Sequence, residues 1–291
     1  MCWFGFGITV VKTKAKSPTA PHAARTVQRR RTGVAVTDER DDLAVEEPLE
    51  IRVEGRPVAV TMRTPGHDEE LAAGFLLTEG VVARREDIVA ISPAEAKRGG
   101  GTEANIIDVK LARLEAVDFA RLTRHVFTAS SCGLCGKATI AAVQAKNPAL
   151  DPEAGPRVTA ETLARLPAVL ADAQATFQKT GGLHATGLFT ADGKLLVSRE
   201  DVGRHNAVDK VIGHLLLSGG IDPSSVVLLV SGRVAFEIVQ KALAARIAFI
   251  AAISAPTSLA VDFARTGGQT LVGFLRDGRM NVYAGADRIR E

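Results

Sequence analysis

Two short stretches, Val226 to Val230 and Phe249 to Ile253, contain no polar residue at all. A strand with one wet face alternates apolar and polar positions, so an unbroken apolar run this short has to be covered on both sides. Helical patterns follow each: one over Ala235 to Ala244, one over Ser258 to Ala264. Just upstream, Val208, Val211, Ile212, Leu215 and Leu216 recur at i, i+3, i+4, i+7 and i+8, the stripe of an amphipathic helix. Strands that alternate with helices in this way predict an α/β fold with a sheet between helices. The chain supplies a core for it, with 46% apolar residues in 291 but only 4% aromatics.

The front half has a different rhythm. Leu49, Ile51 and Val53 alternate with polar neighbours, and so do Val58, Val60 and Met62. Glu54-Gly55-Arg56 between them predicts a hairpin. Acids at Asp68, Glu69 and Glu70 lead into a helix over Leu71 to Glu79, which Gly80 ends. Asn105 to Leu111 alternates again. A helix through Leu163 and Leu166 is expected to be interrupted at Pro167 and to continue to Lys179. His184 to Thr190 and Lys194 to Ser198 read as a second hairpin. The expected division is a small β-rich α+β domain over 34–125 and an α/β domain over 126–291. Met1 to Gly33 hold seven Lys or Arg and no acid, so a chain of net charge +3 has 29 basic and 33 acidic residues after Gly33, a net −4. Residues 1–33 are therefore expected to be a disordered basic arm, dispensable for function. With no apolar run of ~18 residues, a membrane span is not expected, and neither membrane nor nucleic acid is an expected partner.

Only three cysteines are present, Cys2, Cys132 and Cys135. A disulfide-stapled secreted domain is not built from so few, and a pair three residues apart points to redox, metal or nucleophilic work in the reducing cytoplasm. Ser130 to Gly136 flanks both thiols with glycine, and the helix formers after Lys137 place them near a helix N-terminus, which favours thiolate. Zinc binding needs further ligands. His67-Asp68-Glu69 matches the H-x-E of zinc deaminases, although Ser131 stands where that signature has proline. A zinc-dependent deaminase-like enzyme and a dithiol oxidoreductase are the alternatives to a reactive-thiol carrier.

Polar residues are dense over Ser198 to Lys210, where the stripe helix begins. Arg204, His205 and Lys210 are candidates to meet phosphate there, against a plain reading of a solvated helix face capped by Asp201. Ser231-Gly232-Arg233 follows the first apolar strand, and Phe274-Leu275-Arg276-Asp277-Gly278-Arg279 joins the last two strands. Arginines with small residues at strand ends suit an anion site at the carboxyl edge of a sheet, whereas Asp277-Gly278 also suits an ordinary hairpin turn.

Taken together, Glu46-Glu47-Pro48-Leu49, Thr64-Pro65-Gly66 through Glu79-Gly80, Ser131 to Gly136, Thr180-Gly181-Gly182-Leu183-His184, Glu200 to Asn206, Ser231-Gly232-Arg233 and Phe274 to Arg279 resemble the FdhD-type sulfur carrier proteins. The likeness runs from about Glu46 to Tyr283. It implies a sulfurtransferase that receives persulfide from a cysteine desulfurase and passes it to the molybdenum of a bis(molybdopterin guanine dinucleotide) cofactor for formate dehydrogenase. Cys132 would carry the persulfide, with Cys135 assisting. Phe274, Leu275, Arg276, Asp277, Gly278 and Arg279 would bind the cofactor. Arg204 and Arg233 join them as sensible partners for its phosphates. The resemblance also implies a cytidine-deaminase-like three-layer sandwich in the C-terminal domain, without working zinc chemistry or a permanent metal, in a homodimer.

Overall fold

The computed structural model describes residues 20–33, 36–94, 105–113, 119 and 147–291. First among its elements is a hairpin that local apolar patterning does not announce. Strand β1 (His22–Arg29) pairs antiparallel with β2 (Thr37–Ala44), so part of the segment expected to lack structure is a strand. The pairing sets basic against acidic positions. Arg25 lies opposite Asp41, and Arg29 meets Glu39 at 3.0 Å, the cross-strand complementarity that stabilises sheet pairs.

Next comes a four-stranded sheet in the order β4-β3-β6-β5, from β3 (Glu47–Val53), β4 (Arg56–Arg63), β5 (Ile88–Pro93) and β6 (Ile106–Leu111). The β3–β4 turn has positive φ at Glu54 and Gly55, as a tight two-residue hairpin requires. Helix α1 (Asp68–Thr78) covers one face. Leu49, Ile51, Val53 and Val58 pack there with Leu71, Leu76, Ile107 and Val109.

Strand β7 (Val158–Thr159) leads into α2 (Ala160–Asp172) and α3 (Ala175–Thr180). The helix does not break at Pro167; it runs through and ends five residues later. Leu163, Leu166 and Leu170 are each fully buried on the sheet. Burying them is worth about 1.5–3 kcal/mol apiece, which outweighs the ~3 kcal/mol an interior proline costs.

The larger sheet takes the order β13-β12-β11-β10-β8-β9. Its strands are β8 (His184–Phe189), β9 (Leu195–Asp201), β10 (Val227–Val230), β11 (Phe249–Ala252), β12 (Thr270–Arg276) and β13 (Arg279–Ala284). The two apolar runs are its adjacent parallel strands β10 and β11. Helices α4 (Arg204–Ser218), α5 (Phe236–Ala244) and α6 (Ser258–Thr266) cover one face, where Leu228, Val230, Ile250 and Ala252 point. Val227, Leu229, Phe249 and Ala251 point to the other face and meet α2. A short strand β14 (Ile289–Arg290) returns beside β7.

The two sheets are joined through α1 and α4, which cross at two glycines. A Cβ on Gly74 would lie 1.9 Å from the Asp209 carbonyl oxygen, and one on Gly213 would lie 1.8 Å from that of Glu70. Only glycine lets the backbones touch this closely.

Candidate functional site

The polar run over Ser198 to Lys210 divides between two tasks. Asp201 ends β9 and is fully buried, and its carboxylate meets Lys210 Nζ at 2.7 Å. It also accepts hydrogen bonds from the backbone of Thr64 and Gly203 and from Asn206 Nδ2. Lys210 donates to the Thr64 and Glu200 carbonyls, and Asn206 donates to that of Met62. One turn on, Asp209 holds Lys241 at 2.7 Å and accepts from Thr78. Burial pushes the Asp209 carboxyl up, against the pull of Lys241 and Thr78. Glu200 caps the start of α3 through the N–H groups of Thr176 and Phe177.

Two expectations therefore change. Lys210 is 1% exposed and paired, so it is not a phosphate contact. Asp201 is not the N-cap of α4, because Gly203 holds that position; its side chain instead ties the helix to the β4–α1 connection. Thr64 and Asn206 also belong to this hub, a role that sequence reasoning missed. The glycines inside α1 and α4 were the available signal, since an interior glycine costs a helix about 1 kcal/mol and implies a packing reason.

A second carboxylate completes the seam. Glu70 receives both Nε and Nη2 of Arg199, at 2.5 and 2.7 Å, and lies 3.0 Å from His214 Nδ1. Burial pushes its pKa up, but the bonds from Arg199 and His214 more than offset this and hold it below the ordinary value. His67 of the H-x-E match lies 3.4 Å from the same carboxylate. Among the described residues no three His, Cys, Asp or Glu side chains group as metal ligands.

The residues left over face one edge of the large sheet. Strands β10, β11 and β12 are parallel and β8 and β9 reverse in turn, so the carboxyl ends of β9, β10, β11 and β12 share this edge with the start of β8. The N-termini of α4, α5 and α6, capped by Gly203, Ala235 and Thr257, open onto it as well. Three helix dipoles thus point their positive ends at this edge, a polarity that favours an anion there. Arg204 begins α4, and its buried Nε has no hydrogen-bond partner among the described residues. Gly232 lets the β10–α5 loop approach, since a Cβ there would lie 3.8 Å from Arg204 Cβ and 3.2 Å from His184 Nδ1. Ser231 is fixed by accepting the Ala185 N–H. Arg233 is exposed beside them. His205 lies 2.7 Å from the buried carboxylate of Glu237 on α5.

Arg276 and Arg279 occupy the same edge on the β12–β13 hairpin, but β12 lies three strands from β8, roughly 15 Å at sheet spacing. The arginines therefore form two groups along the edge instead of one cluster. Asp277 and Gly278 both have positive φ, the geometry of a tight hairpin turn. Leu275 is fully buried in the core on the α2 side and anchors the hairpin. Phe274 is held at φ 52°, a strained conformation for a bulky residue, and the Arg276 guanidinium lies 5.8 Å from its ring. Cys132 and Cys135 lie outside the described residues. No helix among the described residues is long and apolar enough to cross a membrane.

Comparison with known proteins gives a consistent result. A family model described as the FdhD/NarQ family matches residues 44–290. A curated relative from Streptomyces coelicolor named "Sulfur carrier protein FdhD" is 54% identical over 268 residues, covering 91% of this chain and 94% of the relative. A relative of the same name from Mycobacterium tuberculosis is 53% identical over 256 residues, covering 86% and 92%. Among solved structures, one described as a formate dehydrogenase accessory protein from Desulfotalea psychrophila superposes with a TM-score of 0.72 at 26% identity, covering 92% of this chain and 99% of that one.

Proposed function

The chain belongs to the FdhD/NarQ family, and from that membership we propose that it is a sulfur carrier in formate dehydrogenase maturation, taking persulfide sulfur from a cysteine desulfurase and delivering it to molybdenum bis(molybdopterin guanine dinucleotide) as its client. The observation in the fold that supports this most directly is the cationic edge. Arg204, Arg233, Arg276 and Arg279 come from three segments, and no hydrogen bond or ion pair engages their guanidinium groups among the described residues. Two groups of cations about 15 Å apart suit an elongated ligand with separated phosphates better than a single small anion. Arginine forks and helix N-termini bind phosphate oxygens, and the Phe274 ring offers a flat packing surface.

The sulfur step falls to Cys132. Its thiolate attacks the terminal sulfur of the donor's persulfide; a new S–S bond forms on Cys132, the donor's own S–S bond breaks, and the donor cysteine leaves as thiolate. Cys135 assists as a second acceptor. The sheet with helices on both faces supports reading the described part of the C-terminal domain as a cytidine-deaminase-like three-layer sandwich; the family resemblance alone carries the reading that it works without zinc, in a cytoplasmic homodimer. Incubation with a desulfurase and cysteine, followed by mass spectrometry, tests the assignment. Persulfide should vanish in Cys132→Ala and persist in Cys135→Ala. Undiminished persulfide in Cys132→Ala would overturn it.

A further inference from the structure

His184 begins β8 beside the Gly232 backbone, with Arg204, whose buried Nε has no hydrogen-bond partner among the described residues, close to the same glycine. Titratable and charged groups from three neighbouring segments act on its ring. Arg204 and His205 come from α4, Arg233 from the loop after β10, and Asp201 from the end of β9. Asp201, the one opposing charge among these, is committed to Lys210, Thr64, Gly203 and Asn206. Glu237 of α5 is held against His205. Arg204 and Arg233 near this imidazole have no ion pair among the described residues, so a ligand can supply their counter-charge.

We propose that His184 is a further ligand-binding residue of this edge, which takes up a proton when a phosphate-bearing ligand settles against Arg204 and Arg233 and then holds that phosphate as an imidazolium. This rests on the nucleotide-binding reading of the edge and adds a coupling to it. Burial, with the charges of Arg204, His205 and Arg233, holds the free ring's pKa below its ordinary value, so the ring is neutral near pH 7. A bound phosphate cancels the field of the two arginines and adds its own negative charge, which raises the ring's affinity for a proton. Proton and ligand then favour each other. Affinity rises as pH falls between the bound-state and free-state pKa values, by at most about tenfold per pH unit, and is flat outside that window. A terminal phosphate's own titration near pH ~6 acts with the opposite sign, so the informative quantity is the difference between native protein and a His184 variant.

The test is calorimetry of GDP binding to the full chain, in buffers of different ionisation enthalpy, between about pH 5 and 8. Native protein should take up a fraction of a proton approaching one on binding. His184→Gln, at a half-exposed position, should bind more weakly and lose that uptake. The His184 ring resonance of native protein, followed by NMR with and without GDP, should titrate at higher pH in the complex. That measurement keeps the test intact should the variant fold poorly. GDP binding with no proton uptake, or with uptake unchanged in His184→Gln, overturns this inference alone. No GDP binding to native protein overturns the nucleotide reading and this inference together.

Discussion

The stretch from Glu200 to Lys210 feeds two regions that treat charge in opposite ways. In the seam between α1 and α4, Asp201, Asn206, Asp209 and Lys210 are buried and carry partner sets drawn from Thr64, Thr78, Met62 and Lys241. At the sheet edge, a residue or two away, Arg204 has an orphaned Nε, and Arg233 projects beside it without an ion pair among the described residues. A buried charge left without a partner is costly, so a polar cluster meant only to hold a fold closes on itself. The arginines of the edge do not close on partners among the described residues, the arrangement expected of the proposed binding site.

The contrast breaks if the seam tolerates what the edge tolerates. Lys210→Ala leaves Asp201 buried without its counter-charge, and chemical unfolding should show a loss of about 3–5 kcal/mol. A loss under about 1 kcal/mol would mean that the seam is not the structural region. Gly213→Ala comes next. On an isolated helix the change favours folding by about 1 kcal/mol; here the added methyl meets the Glu70 backbone, and thermal unfolding should register a destabilisation of about 3 kcal/mol. An unchanged or raised Tm would show that the helices can part freely. Arg279→Ala is the mildest for stability, within about 0.5 kcal/mol of native. It should still weaken GDP binding roughly ten- to hundredfold, equivalent to about 1.5–3 kcal/mol, while Cys132 persulfidation proceeds. Native-like GDP affinity in that variant would remove the hairpin from the edge site.

Much of the framework is legible in the amino-acid sequence. The apolar runs become β10 and β11, the i, i+3, i+4 stripe becomes α4, and the front hairpin turns at Glu54-Gly55. Those signals are local, set by which side chains meet water. What stays illegible depends on partners far along the chain. Lys210 reads as a phosphate ligand until Asp201 and the Thr64 carbonyl are seen around it. Pro167 reads as a helix breaker until three buried leucines outweigh it. The β1–β2 hairpin is written in charge and not in apolar periodicity, so a scan for hydrophobic alternation passes over it. At the site, the arginines announce themselves by type, but their division into two groups comes from strand order alone. His184 carries no such signal, being one polar residue opening an otherwise buried strand.

The bonds that close the seam join residues very far apart in the chain: the Thr64 N–H reaches Asp201 across 137 residues, and Lys210 reaches the Thr64 carbonyl across 146. During synthesis, α1 emerges first. At about 5–20 residues per second, something on the order of ten seconds passes before α4 leaves the ribosome to meet it. Through that interval the side of α1 carrying Gly74 has no helix against it. Closing so long a loop is entropically slow. Closure of the seam is thus timed by translation of the second half and not by the speed of the first.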